Sequence, residues 1–122
     1  MIKLVFCLRR RPGMSRDDFQ AYWRDHHAPL VGEVAPVLRI RQYVQSHGFD
    51  DPRLAAPTDA RGTIVAPYDG VAELHWDTIE EVAAAGDSKE GRDAGRRLLE
   101  DERKFIDLPN SPLFWVREHH VI

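Results

Sequence analysis

The sequence predicts an α+β domain: a ferredoxin-like β-α-β-β-α-β unit, one antiparallel sheet with its helices on one face. Three observations predict it. Ile2, Leu4, Phe6 and Leu8 alternate with Lys3, Val5 and Cys7, the period of a strand. Two helix starts carry capping signatures, Ser15 with Asp18 and Thr78 with Glu81. Further strand-like segments at residues 39–45, 71–76 and 113–121 interleave with those helices in the required order.

In chain order, strand one leaves through the turn signal Pro12-Gly13, and the first helix begins at Ser15. Phe19, Trp23 and Leu30 recur at helical spacing and mark its apolar face, near which His26 and His27 fall. Pro29 and Pro36 are expected to end or kink this helix, because proline removes a backbone donor. Strand two places Ile40, Gln42 and Val44 opposite Arg41, Tyr43 and Gln45. Residues 47–69 are rich in Pro, Ala, Gly and Asp without periodicity, and read as a lid over a pocket or as a mobile insertion at 48–67. Asp69-Gly70 opens strand three. An alanine-rich helix follows Thr78, interrupted at Gly86, Gly91 and Gly95, and resumes toward Leu98, Glu102, Phe105 and Ile106. Pro109 and Pro112 close it before the last strand.

The whole chain of 122 residues is expected to form a single domain able to bury roughly two thirds of its unfolded surface. A net charge of −3 with mixed signs leaves no footprint for nucleic acid, and the Arg9-Arg10-Arg11 run reads as a solvated strand end. The single cysteine, Cys7, excludes an internal disulfide, suits a reducing cytoplasm and reads as a small buried hydrophobe. No apolar run approaches the roughly 20 residues of a membrane span, and the N-terminus enters a strand without a leader, so a cytoplasmic location is expected. Two helices cover one face of a four-stranded sheet. The other face carries enough apolar residues to want a cover, and a second copy of the chain is the simplest one.

With this order established, the residues resemble a known family. Lys3 through Arg11-Pro12-Gly13-Met14-Ser15, then Tyr22-Trp23 with His27-Ala28-Pro29-Leu30, carry the first matches. Tyr43-Val44-Gln45, residues 68–74, Asp101-Glu102, Phe105-Ile106-Asp107 and the stretch from Ser111-Pro112 to His119 complete them. The chain is similar to EthD-like proteins of the dimeric α/β-barrel superfamily. That resemblance implies a homodimeric barrel, with chemistry that varies among cyclases, dehydratases, cofactor-free monooxygenases, isomerases and haem proteins.

His27 matches the histidine of the Trp-x-x-x-His-x-Pro-Leu pattern, and His26 does not. One turn from the expected helix end, His27 reads either as an acid–base group or as a buried histidine satisfied by a carbonyl or carboxylate. His26, one helical step away, reads as solvent-facing. Asp107 matches the family motif and reads as the acid orienting His27 or as a turn cap. Glu73 shares a strand face with His75 and reads as a pocket acid or as a dimer-face carboxylate paired with Arg39 or Arg41. Trp23, Tyr43, Trp76, Phe105 and Trp115 are candidates to line an aromatic binding pocket or simply to fill the core.

No metal is expected, because adjacent histidines on a helix diverge by about 100° and His119-His120 on a strand point to opposite faces. No cofactor is expected either. Three functional readings follow. The first is an enzyme acting on a small apolar or aromatic molecule by proton transfer (dehydration, cyclisation, isomerisation) or as a cofactor-independent oxidoreductase. The second is a non-catalytic accessory or ligand-binding protein of an oxygenase system, and the third a haem protein.

Overall fold

Alternation in Ile2–Leu8 produces strand β1 at the centre of the sheet, in a computed structural model that describes residues 1–122. Its partners are β3 (Gly70–Trp76) on one side and β4 (Leu113–Val116) on the other, with β2 (Gln42–His47) beyond β3. All pairings are antiparallel and the order is β2-β3-β1-β4. Register aligns side chains in rows across the strands. Tyr43, Leu74, Leu4 and Trp115 form one row, and Gln45, Ala72, Phe6 and Leu113 the next. These rows face the helices. The alternate rows, Val44-Glu73-Val5-Phe114 and Gln42-His75-Lys3-Val116, lie on the opposite, open face.

The first helical stretch runs further than its prolines suggest. Helix α1 (Arg16–Tyr22) starts where Ser15 Oγ accepts from the Asp18 N–H at 3.0 Å. It passes through a π turn at Trp23–His27 into α2 (Ala28–Leu38). Pro29 therefore does not end the helix. The missing Pro29 N–H is absorbed by a wider turn, in which the Ala28 N–H reaches back to the Trp23 carbonyl. Pro36 also lies inside the helix, which stops at Arg39 in the left-handed conformation, φ 61°.

Strand two is displaced toward the C-terminus relative to expectation, and strand four ends at Val116 rather than reaching residue 121. In the second helical region the break falls at Ser88, whose hydroxyl caps α5 (Lys89–Glu102) after α4 (Ile79–Asp87) ends. Gly91 and Gly95 sit inside α5. Gly91 lets the helix start pack tightly on the Ala85 carbonyl, where a Cβ would clash. The 47–69 segment contains a 3₁₀ turn at Pro52–Leu54 and a short helix α3 (Ala56–Ala60), and is tied down at both ends. Arg16 bonds Asp50 at 2.6 Å, and the Gly48 N–H bonds the Asp69 carbonyl at 2.9 Å.

Burial falls into two clusters between helices and sheet. One holds Leu8, Phe19, Trp23, Ala72, Phe105 and Ile106; the other holds Val31, Val34, Ala94 and Leu98. On the open face Val44 and Phe114 stay exposed, and half-buried Cys7 lies there too. No helix is long and apolar enough to cross a membrane.

Candidate functional site

The first helical stretch builds the site through its spacing. Phe19, Trp23, His27 and Val31 recur every four residues and all are buried. Each four-residue step overshoots a regular helical turn by about 40°, so three steps would carry Val31 far from Phe19's face. The wider π turn takes up that drift and keeps the four side chains in one line over the sheet. His27 turns inward as part of that line, while His26 is exposed and stacks on Tyr22.

A cavity of about 160 Å³ opens between the two core clusters. Its walls are apolar side chains of the helices and of the helix-facing sheet rows, Leu4, Phe6, Trp23, Val31, Leu74 and Trp76 among them. The polar residues on its lining are His27 and Glu102, and Tyr43 lines it as well.

His27 Nδ1 lies 2.7 Å from Asp101 Oδ2, and the other oxygen of Asp101 accepts from the Tyr22 hydroxyl at 2.6 Å. Burial by itself would raise the Asp101 carboxyl. The bonds from Tyr22 and His27 outweigh it and hold the group below the ordinary carboxylate range, so it is an anion and purely an acceptor. Nδ1 therefore carries the histidine proton, and Nε2 is left as the acceptor. Burial pushes the His27 pKa below its usual value, against the pull of Asp101, so the ring is neutral at pH 7. Phe105 packs against the imidazole, ring centres 5.1 Å apart, and holds it in place. Burial and the bond to Asp101 push the Tyr22 phenol up to about 12, which keeps it a donor.

Glu102 sits one residue beyond Asp101 with no hydrogen bond to stabilise its charge. Burial, then the neighbouring Asp101 anion, push its carboxyl up to about 7. Across the cavity the Tyr43 oxygen accepts from Trp23 Nε1 at 3.2 Å and Gln45 Nε2 at 3.0 Å.

The sequence candidates divide accordingly. His27, Trp23, Tyr43 and Trp76 line the cavity, and Phe105 backs His27 without lining it. Trp115 lies at the sheet edge, half exposed, its ring tilted against that of Trp76 with centres 5.4 Å apart, beside an open surface groove. Asp107 is not the partner of His27. Its N–H bonds the Arg9 carbonyl at 2.9 Å and its carboxylate accepts from Asn110 at 2.8 Å, which holds it at the turn after α5. Glu73 is not in the cavity either. It projects from the open face and pairs with Lys3 at 3.0 Å, not with Arg39 or Arg41, which bind Glu81 and Asp77. No residue of 48–67 lines the cavity. Asp101 and Glu102 stand in the sequence motif without a role readable from it. The available signal was that Glu102 follows Leu98 by four residues, a carboxylate on the apolar stripe of its helix.

The family model that matches this chain is the EthD domain, over residues 11–109. The chain belongs to the EthD family. A curated relative, the decarboxylase AgnL1 of Paecilomyces divaricatus, is 25% identical over 119 residues, covering 94% of this chain and 78% of that protein. Among solved structures, an EthD family protein from Bacillus halodurans superimposes with a TM-score of 0.63 at 20% identity, covering 98% of this chain and 99% of that one. A dimeric protein of ferredoxin-like fold from Bacteroides fragilis gives 0.59 at 8% identity, covering 96% and 95%. The fold of this EthD protein is thus ferredoxin-like, as its strand order shows independently. The cavity is well below the roughly 300 Å³ at which pockets for drug-sized ligands begin, so a haem does not fit it. No three His, Cys, Asp or Glu side chains converge as metal ligands.

Proposed function

We propose that this EthD protein is an enzyme that moves a proton on a small apolar or aromatic organic molecule. In this reading neutral His27 is the acid–base and Asp101 orients it. The observation that carries the proposal is a buried imidazole whose Nδ1 is committed to a carboxylate while the residue lines an apolar cavity. That arrangement presents a single basic nitrogen of defined tautomer to a water-poor space. A space of about 160 Å³ matches one aromatic ring, since a cavity of about 150 Å³ accommodates benzene. Proton transfer of this kind serves decarboxylation, dehydration, cyclisation and isomerisation, and the likeness to a decarboxylase favours the first.

The assembled form in this reading is a homodimer joined through the open face. Val44, Val5, Phe114 and Val116 supply apolar surface there, around the Lys3–Glu73 pair. Dimeric proteins of the same fold support it.

The test is solvent-deuterium incorporation. Single-ring keto acids and hydroxyaryl carboxylic acids are incubated with the protein in D₂O and followed by NMR. Incorporation or carbon dioxide release that disappears in His27→Ala is expected. Ligands that bind without any exchange would instead favour an accessory, non-catalytic role.

A further inference from the structure

Glu102 is a second polar group in the cavity, and His27 does not account for it. Its carboxyl is on the cavity lining, makes no hydrogen bond or ion pair with the protein, and faces mostly hydrocarbon. A carboxylate so placed is costly, whereas a carboxylic acid needs one acceptor for its O–H. No protein group within reach supplies that acceptor, because His27, whose Nε2 is the free acceptor on the wall, makes its carboxylate contact with Asp101 and none with Glu102. The Tyr43 oxygen already receives two hydrogen bonds, which uses both its lone pairs and leaves it a proton to give. The nearby carboxylate of Asp101 is occupied by Tyr22 and His27.

The cavity therefore offers donors at Glu102 and Tyr43 and an acceptor at His27. Among small ring-bearing molecules, this pattern suits one that carries a bare oxygen acceptor. We propose that Glu102, in its protonated form, donates a hydrogen bond to the carbonyl oxygen of the bound molecule, so that the site selects ring compounds that carry a carbonyl oxygen. A carbonyl held this way loses electron density at its oxygen, which acidifies the adjacent C–H and suits His27 as base. The inference deepens the proton-transfer reading above, yet its test does not depend on turnover.

The groups facing Glu102 are Asp101 on its own helix, His27 on the π turn and Tyr43 on β2. Of these, His27 titrates below its ordinary value and Tyr43 above its own, so Glu102 is the group that changes charge between pH 6.5 and 8.5.

The experiment uses acetophenone labelled with ¹³C at the carbonyl, its stretching band read by infrared difference spectroscopy and its affinity by tryptophan fluorescence. At pH 6.5 the bound band should lie below its position in an apolar solvent. Affinity should fall by roughly twentyfold or more on going to pH 8.5, in proportion to the protonated fraction. Glu102→Gln, which keeps a donor, should retain the band shift and lose the pH dependence. Glu102→Leu should bind with no shift at either pH.

The proposal is overturned if wild-type protein does not bind acetophenone, or binds it with an unshifted band. It is equally overturned if the shift survives in Glu102→Leu and vanishes in Tyr43→Phe. Deuterium exchange that fails while the band behaves as described would remove the enzyme reading and leave this one standing.

Discussion

His27 and Asp101, 74 positions apart in the chain, meet through a 2.7 Å contact between Nδ1 and Oδ2. This contact fixes the tautomer of the one imidazole on the cavity wall. Replacing His27 by alanine is expected to cut any proton-transfer rate by about 10²–10⁴. Asp101→Asn, which cannot hold the tautomer through a carboxylate, is expected to lose about 10–100-fold. Deuterium incorporation rates measure both, and an unchanged rate in His27→Ala would sink the role given to it.

Stability should respond to pH through Glu102 with a definite sign. Its folded pKa is raised, from 4.5 to about 7, so its contribution is fully present below pH 4.5 and is lost as pH rises through 7. Glu102→Gln should therefore be more stable than wild type at pH 8.5, by about 2–3 kcal/mol, with the difference vanishing near pH 4.5. Urea denaturation at the two pH values checks this. A gain that is the same at both would show that the side chain is not titrating.

His27 has the opposite sign. Its folded pKa is depressed below 6.5, so the stability it confers is present above pH 6.5 and declines as pH falls toward the folded value. His27→Gln should flatten the stability profile between pH 6.5 and 5.5. A profile that keeps its slope in the variant would assign the acid sensitivity to other groups.

Gly70 lies directly under the Trp23 indole. A Cβ there would stand 2.5 Å from Trp23 Cζ3 and 2.8 Å from the Ser46 carbonyl oxygen. Gly70→Ala is expected to destabilise by about 1–3 kcal/mol and to shift Trp23, which should be visible in its fluorescence. An alanine tolerated without change would mean that the indole has room to move.

Phe105 is fully buried and its ring touches those of Phe19, Tyr22 and His27. Phe105→Ala should cost about 3–5 kcal/mol and loosen the imidazole as well. Chemical denaturation gives the first effect, and NMR titration of His27 the second.

On the open sheet face, Val44→Asp puts a charge opposite Glu73. Light scattering should show a dimer for wild type and a monomer for this variant. A wild-type monomer at micromolar concentration would contradict the assembly proposed for the open face.

Much of this arrangement is readable in one dimension because its causes are local. Strand β1 matches its alternation residue for residue, and the caps at Ser15 and Thr78 form where hydroxyl and helix start coincide. His27 could be separated from His26 by pattern, and their burial differs accordingly. The helix breaks are not set locally. Pro29 stays within a continuous helix because a π turn, stabilised by packing of the Phe19-Trp23-His27-Val31 line on the sheet, can absorb its missing donor.

Element order, the antiparallel sheet and the singling out of His27 from His26 follow from periodicity, capping and motif, all of which act over a few residues. The partner of that histidine does not. Asp107 and Asp101 both fall in the same motif, and only the path of α5 across the helix pair decides which one arrives. Asp101 still stands on the helix beside Tyr22, while Asp107 has passed its end and is drawn by backbone bonding to Arg9. Glu73 and Glu102 show the same division. Each is a carboxylate in an apolar pattern. Tertiary packing turns one toward Lys3 on the open face and sets the other against the apolar cavity beside Asp101, and that burial together with the neighbouring anion makes Glu102 an acid near neutral pH.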